Sequence, residues 1–354
     1  MEQAPEQPER VQVQMVIPPE QIQEQMREQQ EQLTGSISQA GEAEGRIRTH
    51  MNNEAIVEIQ RIVGADNAFR EEPMSRHTTF RIGGPADLMV CPTSGEAVAE
   101  TVRFCRGQEI PWFIIGNGSN LLVSDEGYRG VIIRIDQNLQ HVHTEGSIIH
   151  AEAGILLSRL AAEARDHSLA GLEFASGIPG TLGGACTMNA GAYGGEMKNV
   201  LKSVTVLDEN LEVRVVTVGD LDLGYRHSRI MDRRWIVLEA EVSLTEGDRE
   251  QITARMNELR DARVTKQPLE YPSAGSTFKR PEGYFAGKLI MDAGLCGFRV
   301  GGAQVSEKHC GFVINRDHAT AEDVRELIGQ VQKRVWDKFQ VHLEPEVRFL
   351  GFRG

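Results

Sequence analysis

The sequence is poor in cysteine and has no long hydrophobic run, and each shortage argues against a class of protein. Its five cysteines form no C-x-x-C pair, so neither a disulfide framework nor a zinc site is predicted. All five are expected to be free thiols, with Cys310 a buried packing residue rather than a nucleophile. No apolar run approaches the roughly 18 residues of a membrane span, and no secretory signal opens the chain. A cytoplasmic protein without a membrane partner is therefore predicted.

The sequence also has fewer basic than acidic residues. Lysine and arginine number 38 against 51 acidic residues, a net charge of −13, which argues against nucleic acid as a partner. The chain also lacks the G-x-G-x-x-G spacing of a Rossmann dinucleotide site. Protein partners are left open by the sequence.

Residues 1–50 are predicted to be a disordered extension. They are rich in Gln, Glu and Pro, contain no aromatic residue, and cannot bury enough apolar surface to offset the entropy of ordering. A solvated helix over residues 19–33 is an alternative for part of this segment. The folded body is expected to begin at Met51, with a helix capped by Asn52 and ended by Gly64, and Met51 is an alternative initiator.

The remaining hydrophobic patterns favour an α+β fold over a doubly wound sheet. Strands outnumber helices, and strands and helices do not alternate regularly. Two strands joined by a Gly83-Gly84-Pro85 turn are predicted over residues 79–90, and further strands over 110–115, 131–135, 148–153, 204–207, 213–218, 235–244 and 343–351. Further helices are predicted over 94–108, 157–167, 249–266, 286–293 and 320–339.

Two glycine-rich segments predict a phosphate or diphosphate site. The segment 176–195 is rich in glycine and carries no charged side chain, while 115–121 (IGNGSNL) follows an apolar run typical of a strand. Glycine lets a ligand approach bare backbone N–H groups, which are natural anion donors. Because there are two such segments, a dinucleotide is the predicted ligand.

Seven segments in order resemble the UDP-N-acetylenolpyruvoylglucosamine reductase family. They are HTTFRIGGPAD (77–87), IGNGSNLL (115–122), SGIPGTLGGACTMNAGAYGG (176–195), GYRHS (224–228), AGSTFKRP (274–281), the run 285–315 and LEPEVRFLG (343–351). The resemblance extends from about residue 65 to the end and leaves 1–50 unaccounted for. With only about fifty residues between Arg226 and Ser276, the chain resembles the shorter subtype, which lacks the inserted substrate-covering loop.

The resemblance implies a vanillyl-alcohol-oxidase (PCMH) type FAD-binding domain with subdomains at 51–135 and 136–246. A smaller α+β substrate domain would occupy 247–354, its last strand returning to the FAD domain. It further implies noncovalent FAD, NADPH as hydride donor, a small UDP-sugar substrate, and reduction of UDP-N-acetylenolpyruvoylglucosamine to UDP-N-acetylmuramate for peptidoglycan synthesis. The implied FAD contacts are Gly116, Asn117, Gly118, Ser119, Asn120, Leu121, Gly177, Ile178, Pro179, Gly180, Thr181, Gly183 and Gly184.

Three catalytic residues follow from the same resemblance. Ser276 matches the proton donor, Arg226 a cation that binds the enolpyruvyl carboxylate and stabilises the developing enolate, and Glu346 a carboxylate that orients both. The residues that resemble contacts to the UDP moiety are Lys266, Arg263 and Lys288. No metal is expected.

Two other functions remain open on sequence grounds. One is a different FAD-dependent sugar or lactone oxidoreductase of the same fold, and the other is a catalytically inactive nucleotide-binding regulator. His77 is interpreted as a structural partner for nearby backbone rather than as a site of covalent flavin attachment. The presence of Arg226, Ser276 and Glu346 favours the reductase over both alternatives.

Overall fold

The computed structural model describes residues 51–352, and the expectations for residues 1–50 lie outside this range. The first sheet has the order β1-β2-β5-β3, with β1 antiparallel to β2 and the other pairs parallel. Its strands are β1 (Ala68–Pro73), β2 (Pro85–Val90), β3 (Trp112–Ile115) and β5 (Tyr128–Arg134). Helices α1 (Asn53–Val63) and α2 (Gly95–Gly107) flank it. The predicted caps form, because Asn52 Oδ1 accepts the Glu54 N–H and Ser94 Oγ accepts the Ala97 N–H.

The second sheet is antiparallel throughout, in the order β12-β11-β13-β7-β6. Its strands are β6 (Val142–Glu145), β7 (Ile148–Glu152), β11 (Leu201–Leu207), β12 (Val213–Thr217) and β13 (Ile236–Ser243). Helices α3 (Leu157–Asp166), α4 (Leu182–Met188) and α5 (Arg229–Arg233) belong to the same part of the chain. One core joins both sheets, since Ile59, Ile133, Leu160 and Val242 are fully buried in it.

The C-terminal part begins with α6 (Arg249–Lys266), whose bounds are those predicted. It continues with α7 (Ala286–Asp292), the three-stranded antiparallel sheet β15-β16-β17 (Arg299–Val300, Ala303–Val305 and Val313–Asn315) and α8 (Ala321–Phe339). Its core also contains Phe80, Ile82 and Leu122 from the N-terminal part. Asp125 strengthens this junction, because its carboxylate accepts the backbone N–H groups of Ala321 and Glu322 at the start of α8.

The last strand, β18 (Arg348–Leu350), pairs in parallel with β4 (Leu121–Val123), which directly follows the 116–120 segment. It is shorter than the predicted 343–351. The residues before it run beside 277–279 instead, where the Glu346 N–H donates to Thr277 O and the Lys279 N–H to Glu344 O. Two further pairs complete the described strands, β8 (Leu169–Ala170) with β14 (Thr245–Glu246) and β9 (Gly191–Ala192) with β10 (Gly195–Glu196).

The α+β prediction is confirmed, but the first predicted hairpin is wrong. Residues 79–84 form no strand, and the antiparallel partner of β2 is β1, which the sequence pattern missed. At the sheet edge β1 has no buried residue, and three of its six residues are exposed, so it lacks the apolar alternation that marks a half-buried strand. Phe80 and Ile82 are apolar because they fill the core shared with the C-terminal part.

The prediction of five free thiols is also wrong. Cys296 and Cys310 form a disulfide, with their Cα atoms 5.6 Å apart. The Gly297 N–H donates to Val305 O and the Ser306 N–H to Phe312 O, and these bonds draw the two cysteines together across 14 residues. Spacing alone cannot reveal such a contact. Cys91, Cys105 and Cys186 are free.

Within residues 51–352, no helix is both long and apolar enough to cross a bilayer.

Candidate active site

The two glycine-rich segments meet face to face. A Cβ added to Gly116 would lie 2.2 Å from Thr181 Oγ1, so only glycine permits this approach. The Asn117 amide spans the contact by donating from Nδ2 to Pro179 O at 2.7 Å. The structure thus brings together the segments 116–121 and 177–184 that were predicted to bind one ligand.

The 116–120 segment presents a row of backbone donors. Its carbonyls are engaged at Gly118 and Asn120, which accept from Thr79 and Arg348, but its five N–H groups have no hydrogen-bond acceptor in residues 51–352. Gly118 has φ of 62° and lies so close to His77 that a Cβ would fall 2.0 Å from that residue's carbonyl oxygen. Successive backbone N–H groups without an acceptor, in a segment that includes a left-handed glycine, fit a phosphate anion.

Some backbone N–H groups of the second glycine segment already have an acceptor within the fold and are not available to a ligand. The Leu182 and Gly183 N–H groups donate to Ile155 O and Ala153 O. A Cβ on Gly183 would lie 2.9 Å from Ala153 Cβ, so tight packing already explains this glycine. The Ile178 N–H donates to Ala175 O as well, so within residues 51–352 the N–H groups of this segment without an acceptor are those of Gly177, Gly180, Thr181 and Gly184.

Two of the predicted catalytic residues, Arg226 and Glu346, form an ion pair although they are 120 positions apart in the chain. Arg226 Nε donates to Glu346 Oε1 at 2.6 Å, and their side chains are only 21% and 11% exposed. Burial raises the pKa of the Glu346 carboxyl above its usual value, and this effect outweighs the attraction of Arg226, which lowers it. The pKa of this carboxyl is therefore nearer to neutral pH than the pKa of an ordinary glutamate.

Ser276 lies beside this pair through the backbone. The Glu346 N–H donates to the carbonyl of Thr277, the next residue, at 2.8 Å, and the Asn120 amide donates to Glu346 O at 3.0 Å. Ser276 itself is exposed. Arg226 and Glu346 are therefore in contact beside the 116–120 segment, and Ser276 is joined to Glu346 through the backbone of its neighbour Thr277, although the three residues come from distant stretches of chain.

The loop that carries Arg226 is fixed by residues that sequence reasoning missed. Arg226 has φ of 55°, a left-handed conformation that non-glycine residues seldom adopt. Asn189, buried at the end of α4, donates from Nδ2 to Gly224 O at 2.9 Å, and Ser228 Oγ donates to Thr187 O at 2.5 Å. Because α4 starts inside the second glycine segment, it connects that segment to Arg226. Asn189 lies inside the quoted glycine-rich run, but nothing in the pattern shows its partner.

A cavity of about 480 Å³ lies between the loop that precedes Ser276 and the second glycine-rich segment. It reaches Gly275, the neighbour of Ser276, and Gly177 in the second glycine segment. Arg263 lines it, and burial lowers the pKa of its guanidinium. Arg81 and Tyr193 also line it; both lie in motifs quoted above, yet neither was assigned a role.

The other two predicted UDP contacts do not line the cavity. Lys266 is exposed at the end of α6, and Lys288 is exposed on α7, where Nζ pairs with Asp292. Exposed lysines on helices commonly pair with solvent or with neighbouring acids. Among the three predicted cations, Arg263 is the one that the structure places at the cavity.

His77 is structural, though its partners are side chains rather than backbone. Its Nε2 donates to Glu72 Oε1 at 2.8 Å, and its Nδ1 accepts from Arg134 Nη1 at 2.8 Å. Both ring nitrogens are therefore engaged within the fold.

Comparisons with known proteins agree with this geometry. A family model described as UDP-N-acetylenolpyruvoylglucosamine reductase, C-terminal domain, matches residues 267–350, and one described as FAD binding domain matches residues 86–217. The reductase of that name from Alkaliphilus oremlandii is 52% identical over 293 residues, which are 83% of this chain and 96% of the relative. The chain belongs to the UDP-N-acetylenolpyruvoylglucosamine reductase family.

Other members of the reductase family agree over similar spans. The protein of that name from Agathobacter rectalis is 53% identical over 294 residues, which are 80% of this chain and 93% of the relative. The crystal structure of UDP-N-acetylenolpyruvylglucosamine reductase (MurB) from Thermus caldophilus superposes with a TM-score of 0.69 at 37% identity. It covers 79% of this chain and 97% of that one.

The matched ranges divide the site between the two family models. Both glycine segments fall within the FAD binding domain, and Ser276 and Glu346 fall within the C-terminal domain. The predicted combination of an FAD-binding domain with a family-specific C-terminal domain is therefore confirmed. Arg226 lies in the stretch between the two matched ranges. Its side chain contacts Glu346, which lies within the matched C-terminal domain.

Proposed function

We propose that this chain reduces UDP-N-acetylenolpyruvoylglucosamine to UDP-N-acetylmuramate, with bound FAD and with NADPH as the reductant. Membership of the reductase family and the match to an FAD binding domain support the reaction and the cofactor. The observation that carries the proposal is the 2.6 Å Arg226–Glu346 pair beside the Ser276 segment, because this cation, carboxyl and hydroxyl suit an enolpyruvyl carboxylate. We further propose a cytoplasmic location.

The glycine segments fit the diphosphate of FAD. The free N–H groups of residues 116–120 would bind phosphate oxygens, and the close approach of Gly116 to Thr181 would let both segments contact one diphosphate. The residues of 177–181 would supply the opposite side. When bound, FAD supplies the hydride that NADPH provides, and this hydride adds to C3 of the enolpyruvyl group.

Arg226 would bind the enolpyruvyl carboxylate. Its Nε is occupied by Glu346, and one N–H of Nη2 makes a long contact with Gly191 O at 3.5 Å, which leaves Nη1 and the other N–H of Nη2 for a bidentate contact with a carboxylate. Addition of hydride at C3 places negative charge on C2 and the attached carboxylate, and a fixed guanidinium in a poorly hydrated site stabilises this charge. The Asn189 and Ser228 bonds keep the Arg226 loop in place, so little reorganisation is needed.

Ser276 would complete the reduction by donating its hydroxyl proton to C2. The hydride added at C3 and the proton added at C2 together amount to two hydrogen atoms, and the product differs from the substrate by these two atoms. Glu346 would keep Arg226 oriented, and its raised pKa suits a group that helps return a proton to the site.

Arg263 would bind the diphosphate of the UDP moiety at the cavity. It is the predicted cation that lines the cavity beside Gly177. A guanidinium matches phosphate oxygens in a planar, bidentate contact, which favours arginine for this task. Lys266 and Lys288 would contribute long-range attraction from the surface rather than direct contact.

The test is product identification with the full-length protein. We expect each NADPH consumed to yield one UDP-N-acetylmuramate, detected by mass spectrometry as the gain of two hydrogens on the nucleotide substrate. Oxidation of a free sugar or lactone, with no change in the enolpyruvyl nucleotide, would overturn the proposal in favour of another flavin enzyme. Binding of the nucleotide without any redox change would instead favour a regulator.

A further inference from the structure

The Cys296–Cys310 disulfide lies one residue from the backbone that supports Ser276. Cys310 precedes Gly311, whose carbonyl accepts the Thr277 N–H at 2.8 Å, and Thr277 follows Ser276 directly. The Thr277 hydroxyl oxygen in turn accepts the Val313 N–H at 2.9 Å. The segment 306–313, called here the disulfide loop, therefore fixes the position of the Ser276 loop.

The disulfide loop also contacts the other functional segments. Lys308 Nζ donates to Val264 O at 2.8 Å, next to Arg263 on α6, and Phe312 lines the cavity. At its other end the disulfide joins this loop to Cys296, in the turn that follows α7. One covalent link thus restrains the loop that supports Ser276, the end of α6 and the cavity wall.

The two cysteines of the disulfide differ in their exposure to solvent. Cys296 is exposed, whereas Cys310 is only 8% exposed. The three remaining cysteines are poor redox groups, because burial raises the pKa of Cys91 to about 11 and those of Cys105 and Cys186 to about 12. Among the five cysteines, only the 296–310 pair combines a disulfide with an exposed sulfur-bearing residue.

We propose that Cys296–Cys310 is a reversible thiol–disulfide site whose reductant is a dithiol, and that its state sets the position of Ser276. A thiolate of the dithiol attacks the sulfur of Cys296, the Cys296–Cys310 bond breaks, and Cys310 leaves as a thiolate that takes up a proton. The second thiol then displaces Cys296 from the mixed disulfide. The dithiol is oxidised to its own disulfide, and the protein gains two electrons and two protons.

Reduction loosens the disulfide loop without unfolding the domain. The Thr277 hydrogen bonds to Gly311 and Val313 remain, but the link to Cys296 is lost. A misplacement of about 1 Å at a reacting group costs on the order of 100-fold in rate, and the retained bonds limit the loss to about three- to tenfold. In a reducing compartment a protein disulfide is commonly transient and regulatory, which agrees with such a site. The effect on turnover rests on the function proposed above.

The first test needs no turnover. Full-length protein is equilibrated with mixtures of reduced and oxidised dithiothreitol, and its thiols are counted after denaturation. We expect three thiols per chain at the oxidising end and five at the reducing end, because five cysteines include three that are free. Hydrogen exchange of residues 306–313 should become faster on reduction. Five thiols under all conditions, or unchanged exchange, would overturn the proposal.

The second test measures reduction of the enolpyruvyl nucleotide by the same samples. We expect the reduced protein and Cys296→Ser to be three- to tenfold slower than the oxidised protein, and Cys296→Ser to be indifferent to dithiol. Cys91→Ser is the matched control, and it should retain the full redox response. Equal rates for the oxidised protein, the reduced protein and Cys296→Ser would exclude the link to Ser276. If the oxidised protein has no reductase activity at all, the proposed function fails. The thiol counts and the hydrogen exchange then still show whether the disulfide is reversible and whether it restrains residues 306–313.

Discussion

Replacing Glu346 by glutamine separates its chemical role from its structural one. Glutamine keeps a carbonyl oxygen within reach of Arg226 Nε but can neither carry a negative charge nor exchange a proton at the pH of the reaction. Removal of an acid–base group from a site slows a reaction by about 10² to 10⁴. We therefore expect reduction of the enolpyruvyl nucleotide to slow by that factor, about 3–5 kcal/mol of barrier.

The stability of this variant should change far less than its activity. Removing one partner of a fully buried ion pair costs about 3–5 kcal/mol, but here the arginine keeps a hydrogen bond and is 21% exposed. The raised pKa of Glu346 also shows that its burial costs more than the attraction of Arg226 returns. We expect the free energy of unfolding to change by at most about 1 kcal/mol.

The pH dependence of the free energy of unfolding tests the direction of the pKa shift of Glu346. Between the ordinary pKa of a glutamate and the raised pKa of Glu346, the folded protein binds more protons than the unfolded chain. The contribution of this group to stability is therefore present at low pH and lost as pH rises through that window. Glu346→Gln should lack this component when urea midpoints are compared across the acidic range.

The assay is stopped-flow mixing of the NADPH-reduced protein with substrate, monitored by flavin absorbance. Glu344→Gln is the matched control, because Glu344 is an exposed residue two positions away whose pair with Lys279 is a surface contact. The control should react within about twofold of the parent. A Glu346→Gln protein that reacts at the parental rate would refute the role given to this carboxyl.

Four further substitutions, one of them a control, test other parts of the site and fold. Ser276→Ala should keep bound flavin and its reduction by NADPH but slow substrate reduction by about 10² to 10⁴, and near-normal turnover would exclude Ser276 as the donor. Gly116→Ala should force the glycine segments apart and weaken FAD binding at least tenfold, about 1.4 kcal/mol, in a fluorescence titration. Gly329→Ala is its control, since a Cβ there meets no atom of residues 51–352 within 4 Å, and should keep FAD and gain about 0.5–1 kcal/mol of stability. Asp125→Ala should lower the free energy of unfolding by about 1–2 kcal/mol in urea, because two N–H groups of α8 lose their acceptor; an unchanged midpoint would contradict this.

Local signals in the sequence predicted the regular elements well. The helix over 249–266 has the predicted bounds, and the caps at Asn52 and Ser94 form as expected, because each depends on a few neighbouring residues. Strand β1 was missed because an exposed edge strand has no apolar alternation. Phe80 and Ile82 were misplaced because a buried loop and a buried strand can present the same apolar residues.

Contacts between distant segments were beyond the reach of local patterns. The bond between Arg226 and Glu346 joins residues 120 apart, and only the resemblance to a family suggested that they act together. The Asn189 bond to Gly224 and the Cys296–Cys310 disulfide have no signature in residue spacing, since each depends on how loops are drawn together by the fold. The two glycine segments were an exception, because their unusual composition predicted that both belong to one ligand site, and the structure brings them into contact.

An anaerobic titration of the full-length protein tests the central claim most directly. The account predicts that the purified protein retains noncovalent FAD, that NADPH bleaches the flavin, and that one equivalent of UDP-N-acetylenolpyruvoylglucosamine restores its absorbance. A protein that binds no FAD, or whose reduced flavin is reoxidised by oxygen but not by the enolpyruvyl nucleotide, would contradict it.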